Sequence, residues 1–219
     1  MVDVRSAPRR AGRPPGSSPQ EILEHARAAF LTAGFAGTTM DAVARAAAVS
    51  KASLYQSWPS KNALFRAVVT DWVDRGADAM RPHVDSLLSA PDLREALLDL
   101  VRAMQAGILS PTVLAMRSLV SSEAARHPDI AVMYADKSWG RNTALLAQAL
   151  TALHDRGALA IPDPVIAAEQ LTWLAVGSPL NLHELTAGES TLAGAELSRR
   201  AVAAVDTFLL SYASRSEGH

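Results

Sequence analysis

The sequence contains no cysteine. That absence excludes a disulfide framework, a thiolate-held zinc or iron–sulfur centre and a cysteine nucleophile. Aromatic side chains make up only 5% of the 219 residues. No run of about 18 uninterrupted apolar residues occurs, so a membrane span is not expected. The Arg- and Pro-rich start lacks the apolar h-region of a secretory signal. A soluble cytoplasmic protein is therefore the expectation. Missing too are a GxGxxG, a P-loop and an HExxH, and none of the six histidines sits in a Ser-His-Asp-like arrangement. The sequence offers no catalytic residue, metal-ligand set or cofactor motif, and an enzyme is kept only as an alternative class.

What is present is apolar and unevenly charged. Hydrophobic residues make up 49% of the chain, ample for a buried core. The net charge of −1 conceals an asymmetry. Residues 1–66 carry nine basic and four acidic side chains, whereas the remainder carries 12 basic and 18 acidic ones. A basic front on an acidic body suits a polyanion partner for the front. The plainer alternative is that four of those charges, Arg5, Arg9, Arg10 and Arg13, sit in a floppy tail.

Read along the chain, the pattern is helical almost throughout. Residues 1–17 are rich in Pro, Gly and Arg and read as a disordered basic arm. Ser18, Pro19 and Glu21 form a capping-box start to a first helix, and Gly34 stops it. Thr38 and Thr39 offer a cap for a second, short helix with Met40, Val43, Ala44 and Ala47 on one face. A tight break at Ala48–Val49 follows. Ser50 caps a third helix over 51–58, ended by Pro59. Ser60 caps a fourth, from Lys61 to about residue 80. Beyond Pro82 longer helices are expected at about 92–109, 111–125, 129–156, 164–185 and 191–214, with Pro179 kinking or capping the eighth. The fold class is all-α: a three-helix N-terminal domain over 18–66, then a larger helical domain over 67–219, about nine helices in total.

The third helix carries the chemistry. On a wheel of about 100° per residue, Leu54 and Trp58 share one face and point inward. The opposite face presents Ala52, Ser53 and Gln56, with Tyr55 and Ser57 on its shoulders and no carboxylate. Small side chains let a helix enter a DNA major groove. There Gln can bond adenine bidentately, Ser can contact base or phosphate, and an Ala methyl can touch a thymine methyl. Thr39, Ser50 and Ser60 cap three successive helix N-termini, where free backbone N–H groups attract anions. Lys51 and Lys61 each follow a cap, against the helix dipole, which a phosphate between them would relieve. Each lysine taken alone reads more readily as a solvated surface charge.

Two short helices joined by a tight turn make a helix-turn-helix. The stretch PQEILEHARAAFLTAGFAGTTMDAVARAAAVSKASLYQSWPSKNALFRAVV, residues 19–69, resembles the DNA-binding domain of the TetR family of transcriptional repressors. Ala48 departs from that pattern, because the family usually has Gly at the turn. The resemblance implies DNA contacts at Thr39, Lys51, Ala52, Ser53, Tyr55, Gln56, Ser57 and Lys61, with Tyr55 and Lys61 holding phosphates and Ala52, Ser53 and Gln56 reading bases. The arm either adds phosphate or minor-groove contacts or hangs unbound. Residues 114–188 resemble the AefR-like subclass of C-terminal domains, through MRSLVSSEAARHPDIAVMY, the Gly-Ala-Leu turn at 157–159 and DPVIAAEQLTWLAVG.

For the body the resemblance implies a homodimer on a palindromic double-stranded operator, joined through the helices near 164–185 and 191–214. It further implies a small hydrophobic or amphipathic effector among the middle helices, whose binding shifts helix 61–80 like a lever. Candidate lining residues are Met104, Ile108, Met116, Leu119, Met133, Trp139, Trp173 and Leu182, with Leu109 and Val120 beside them. Taken one at a time, each reads more readily as ordinary core than as a ligand contact. Asn142, Asn181 and His183 are the polar groups available to orient a ligand. A constitutive DNA-binding protein that senses nothing is the remaining alternative.

Overall fold

A computed structural model describes residues 17–189 and 194–214. The arm with Arg5, Arg9, Arg10 and Arg13 lies outside the described residues. Within them every regular element is helical, and an isolated antiparallel bridge joins Leu159 to Ala213. The chain divides into two compact units at the Val68–Val69 bond.

The smaller unit holds α1 (Pro19–Gly37), α2 (Met40–Ala46), α3 (Lys51–Ser57) and the start of α4 (Lys61–Arg75). Ser18 and Glu21 form the expected capping box. Gly34 takes φ 69 and ψ 176, a region essentially closed to other residues, and so breaks α1 before its last residues. Phe30, Phe35 and Phe65 pack on one another with ring centroids 5.2 to 6.0 Å apart. Three of the four phenylalanines in the chain are thus spent on this small core, alongside buried Val43, Leu54 and Leu64. α3 ends at Ser57, one residue earlier than expected. Trp58, placed before Pro59, takes extended backbone angles, as the residue before a proline prefers.

The larger unit holds α5 (Arg81–Ser89), α6 (Leu93–Ile108), α7 (Pro111–Glu123), α8 (Pro128–Ala135), α9 (Arg141–Asp155), α10 (Pro164–Leu185) and α11 (Gly194–Tyr212). A π-helical turn, Asp136–Gly140, joins α8 to α9, so that 128–155 runs on as one helix. Two expectations need correction. The fourth helix stops at Arg75, where Gly76 opens a series of turns, and does not reach residue 80. The gap expected before residue 92 is occupied by α5, which buries Val84 and Leu87 one helical turn apart.

α10 is the centre of this unit and packs on α6, α9 and α11. Its small residues Ala167, Ala168 and Ala175 are fully buried and let neighbouring helices approach closely. Pro179 stays inside α10 and neither ends it nor caps it. A proline there deprives the carbonyl four residues back, that of Ala175, of its helical donor. Gln105, buried on α6, supplies the missing donor: its Nε2 donates to the Ala175 carbonyl at 3.1 Å and to that of Leu197 on α11 at 3.1 Å. One side-chain amide thereby ties three helices. Among the described residues no single helix is long and apolar enough to cross a membrane.

Candidate functional site

The turn between α2 and α3 fixes how α3 is presented. The Val49 N–H donates to the Ala44 carbonyl at 3.0 Å and the Ala48 N–H to that of Arg45 at 3.2 Å, the two bonds of a Schellman cap. Ala48 adopts φ 54, a left-handed conformation in which its Cβ is strained. The departure at residue 48 therefore leaves the turn geometry intact and carries a conformational cost. Ser17 donates to the Ala47 carbonyl at 2.6 Å and holds the chain ahead of α1 against this turn.

All three expected caps form. Thr39 accepts from the Ala42 N–H, Ser50 from Ser53 and Ser60 from Ala63, at 3.0 to 3.1 Å. On α3, Leu54 is fully buried and Trp58 half-buried, whereas Lys51, Ala52, Ser53, Tyr55, Gln56 and Ser57 are exposed. This outward face is continuous, small and free of carboxylate on its own helix. The Ser53 hydroxyl lies 2.8 Å from that of Ser50, which orients it.

The two lysines differ. Lys51 Nζ lies 2.8 Å from the Asp41 carboxylate and 5.9 Å from the Tyr55 ring centroid. Bonding to Asp41 raises the Lys51 pKa. Both partners of this pair are more than half exposed, so solvent screens it strongly and a phosphate can replace Asp41 at little cost. Lys61 does not project as a free cation. Its ammonium donates to the carbonyls of Phe35 at 2.8 Å, Thr38 at 3.0 Å and Ala36 at 3.3 Å, and sits 4.5 Å from the Phe35 ring centroid. A lysine at a helix N-terminus opposes that helix's dipole. Here the side chain reaches back to the carbonyl end of α1, where positive charge is favoured.

The larger unit contains a cavity of about 110 Å³. Of the expected lining residues, Met104, Ile108 and Trp139 border it, and so does Asn142. Met116, Leu119 and Val120 are buried on α7 without reaching it, and Met133, Leu109, Leu182, Asn181 and His183 also stay outside its wall. Trp173 is 51% exposed and lies over Gly177 with its ring 5.2 Å from that of Trp139. Asn142 apart, the polar lining was not foreseen. It includes Arg117 from α7, Tyr134 from α8 and Ser138 from the π turn. Burial raises the Tyr134 pKa, and the nearby Arg117 charge opposes that shift. The π turn brings Ser138 and Trp139 to the cavity while its Lys137 grips Asp74 of α4 at 3.0 Å, with Arg141 3.6 Å away.

The α10 and α11 surface keeps large apolar groups in solvent. Val165, Ile166, Trp173 and Leu174 are exposed, and Leu210 is 90% exposed. Most of the apolar residues on these two helices, including Ala168, Leu171, Ala175, Ala201, Val205 and Phe208, are buried in the core of the chain itself.

Residues 22–68 match the family model for bacterial regulatory proteins of the tetR family, and residues 95–214 match that for the AefR-like transcriptional repressor C-terminal domain. Among solved structures, a TetR-family transcriptional regulator from Mesorhizobium loti is 30% identical with a TM-score of 0.84, over 89% of this chain and 96% of that one. The flavonoid-responsive regulator FrrA is 29% identical with a TM-score of 0.70, over 90% and 97%. A TetR-family regulator from Pseudomonas syringae pv. tomato is 25% identical with a TM-score of 0.70, over 89% and 96%. No curated protein sequence matches significantly.

Proposed function

Because this chain belongs to the TetR family, whose members are DNA-binding transcriptional regulators and not enzymes, we propose that it is a repressor that grips a palindromic operator as a homodimer and lets go when a small hydrophobic or amphipathic effector binds. The observation that carries the DNA half of this reading is the exposed, carboxylate-free face of α3 beside three capped helix N-termini. In this proposal Ala52, Ser53 and Gln56 read base edges, while Thr39, Lys51, Tyr55 and Ser57 contact phosphates. Lys61 adds positive potential to the phosphate path while its donors stay on α1.

Dimerisation is assigned to α10 and α11, whose exposed Ile166, Trp173, Leu174 and Leu210 would lose water against a second copy. The two recognition helices then sit in successive major grooves about 34–36 Å apart. The effector site is the cavity bordered by Met104, Trp139 and Arg117. FrrA, of similar fold, is named as flavonoid-responsive, and a small-molecule trigger is the matching reading for this chain. The route from cavity to α4 is the π turn, which borders the cavity through Trp139 and holds Asp74 through Lys137. An effector acts only if it prefers the released arrangement. The protein would act in the cytoplasm, where operator DNA is found.

Selection of bound fragments from random double-stranded DNA tests this proposal. A palindrome with half-site centres one helical turn apart is the expected product. Failure of the dimer to retain any duplex at low salt would defeat it.

A further inference from the structure

In the larger unit, Arg117 differs from the other described cations. Arg75, Arg81, Arg94, Arg102, Arg126, Lys137, Arg141, Arg199 and Arg200 each have a carboxylate partner, and Arg156 donates to the Leu88 carbonyl. Arg117 has no ion pair or hydrogen bond to any described residue, although it is half-buried and borders an otherwise largely apolar cavity. A half-buried guanidinium with no counter-charge, set beside apolar walls, keeps all its N–H donors for a charge-assisted, bidentate pair with an anion.

The rest of the lining is consistent with an anion. No aspartate or glutamate borders the cavity. The Ser138 and Thr172 hydroxyls already donate to the carbonyls of Tyr134 and Ala168. The Tyr134 hydroxyl and the Asn142 amide hydrogen-bond to no described residue, so both keep N–H or O–H groups for a ligand beside Arg117. Apolar walls from Leu100, Met104 and Ile108 and the Trp139 ring take the remainder. The volume of about 110 Å³ is small. An engineered cavity of roughly 150 Å³ admits benzene, and pockets for drug-sized ligands run to about 300–1,000 Å³. The adaptable Met80 and Met104 side chains can yield the difference for a single ring.

We infer that the cavity takes a one-ring organic acid, with its carboxylate paired to the Arg117 guanidinium and its ring against Trp139 and Met104. This rests on the reading of the cavity as the effector site and adds the chemical class of the effector. Calorimetry on the full-length protein with benzoate and its neutral isostere benzamide tests it, in the wild type and in Arg117→Gln. Benzoate should bind at least tenfold tighter than benzamide. Arg117→Gln should abolish that preference while leaving the ligand-free Tm unchanged, because Arg117 has no described partner to lose.

Equal affinities for acid and amide would overturn the inference. So would a preference that survives Arg117→Gln, or no binding of either probe at millimolar concentration. Operator release, followed separately by fluorescence anisotropy of labelled DNA, keeps the two readings apart. Benzoate that binds through Arg117 without freeing DNA defeats the effector role and leaves the ligand class standing. Release by neutral lipophiles alone does the reverse.

Discussion

The Gln105 amide donates at 3.1 Å to the Ala175 carbonyl, the one that Pro179 leaves without a helical donor. A buried carbonyl stripped of its partner costs about 1–3 kcal/mol. Gln105→Leu should therefore destabilise the protein by about that much in urea unfolding at fixed protein concentration. In a Pro179→Ala background the backbone N–H returns, and the same substitution should cost less. Equal costs in both backgrounds would show that Gln105 does not act through the proline.

Ala48 is held at φ 54, which costs an L-residue about 1–2 kcal/mol, part of which glycine returns as unfolded-state entropy. Ala48→Gly should raise stability by about 0.5–1 kcal/mol in chemical denaturation. A drop in stability would mean that the left-handed turn is not the populated one.

The two lysines should separate under mutation. Lys51→Ala removes an exposed, solvent-screened pair with Asp41, so stability should hardly change, while the salt slope of DNA binding falls by about 1. Lys61→Ala strips two carbonyls of α1 and that of its C-cap Thr38 of their charged donor and should cost about 1–3 kcal/mol of stability. Matching melting curves for the two variants would refute the distinction.

Gln56 lies on the exposed face of α3. Gln56→Ala should lose discrimination at a single base pair per half-site, by about 1–3 kcal/mol, when binding is measured across operator variants. A uniform loss over all sequences would instead make Gln56 a backbone contact.

Lys137 and then Arg141 hold the Asp74 carboxyl below its ordinary value. A carboxylate with a lowered folded-state pKa stabilises the fold above its unfolded pKa, and that contribution disappears as pH falls through the folded one. Wild-type protein should accordingly lose stability on acidification below the ordinary carboxylate range more steeply than Asp74→Asn. Parallel pH profiles of Tm would remove Asp74 as a contributor.

The recognition unit could be read from residue order because its determinants are local. Ser18 with Glu21, Thr39, Ser50 and Ser60 cap helices within three residues of themselves, and Leu54 against Gln56 fixes which way α3 faces. The cavity was only partly readable because its wall is assembled from helices distant in sequence. Arg117 looks like any surface charge until α8 and α9 are brought beside α7. Lys61 looks like an N-terminal helix charge until the end of α1 arrives beneath it. α5 is nine residues long, with Val84 and Leu87 as its only buried positions, too brief a pattern to stand out from a connecting segment.

The π turn at Asp136–Gly140 has a consequence for the helix that contains it. A wider turn takes up about one extra residue, so the apolar spacing of α8 is out of phase with that of α9. One wheel drawn over 128–155 cannot place both Tyr134 and Leu146 correctly, although both border the cavity. Deleting a single residue within the turn would bring the two halves into one frame. That would swing the α8 side chains about 100° around the axis relative to those of α9.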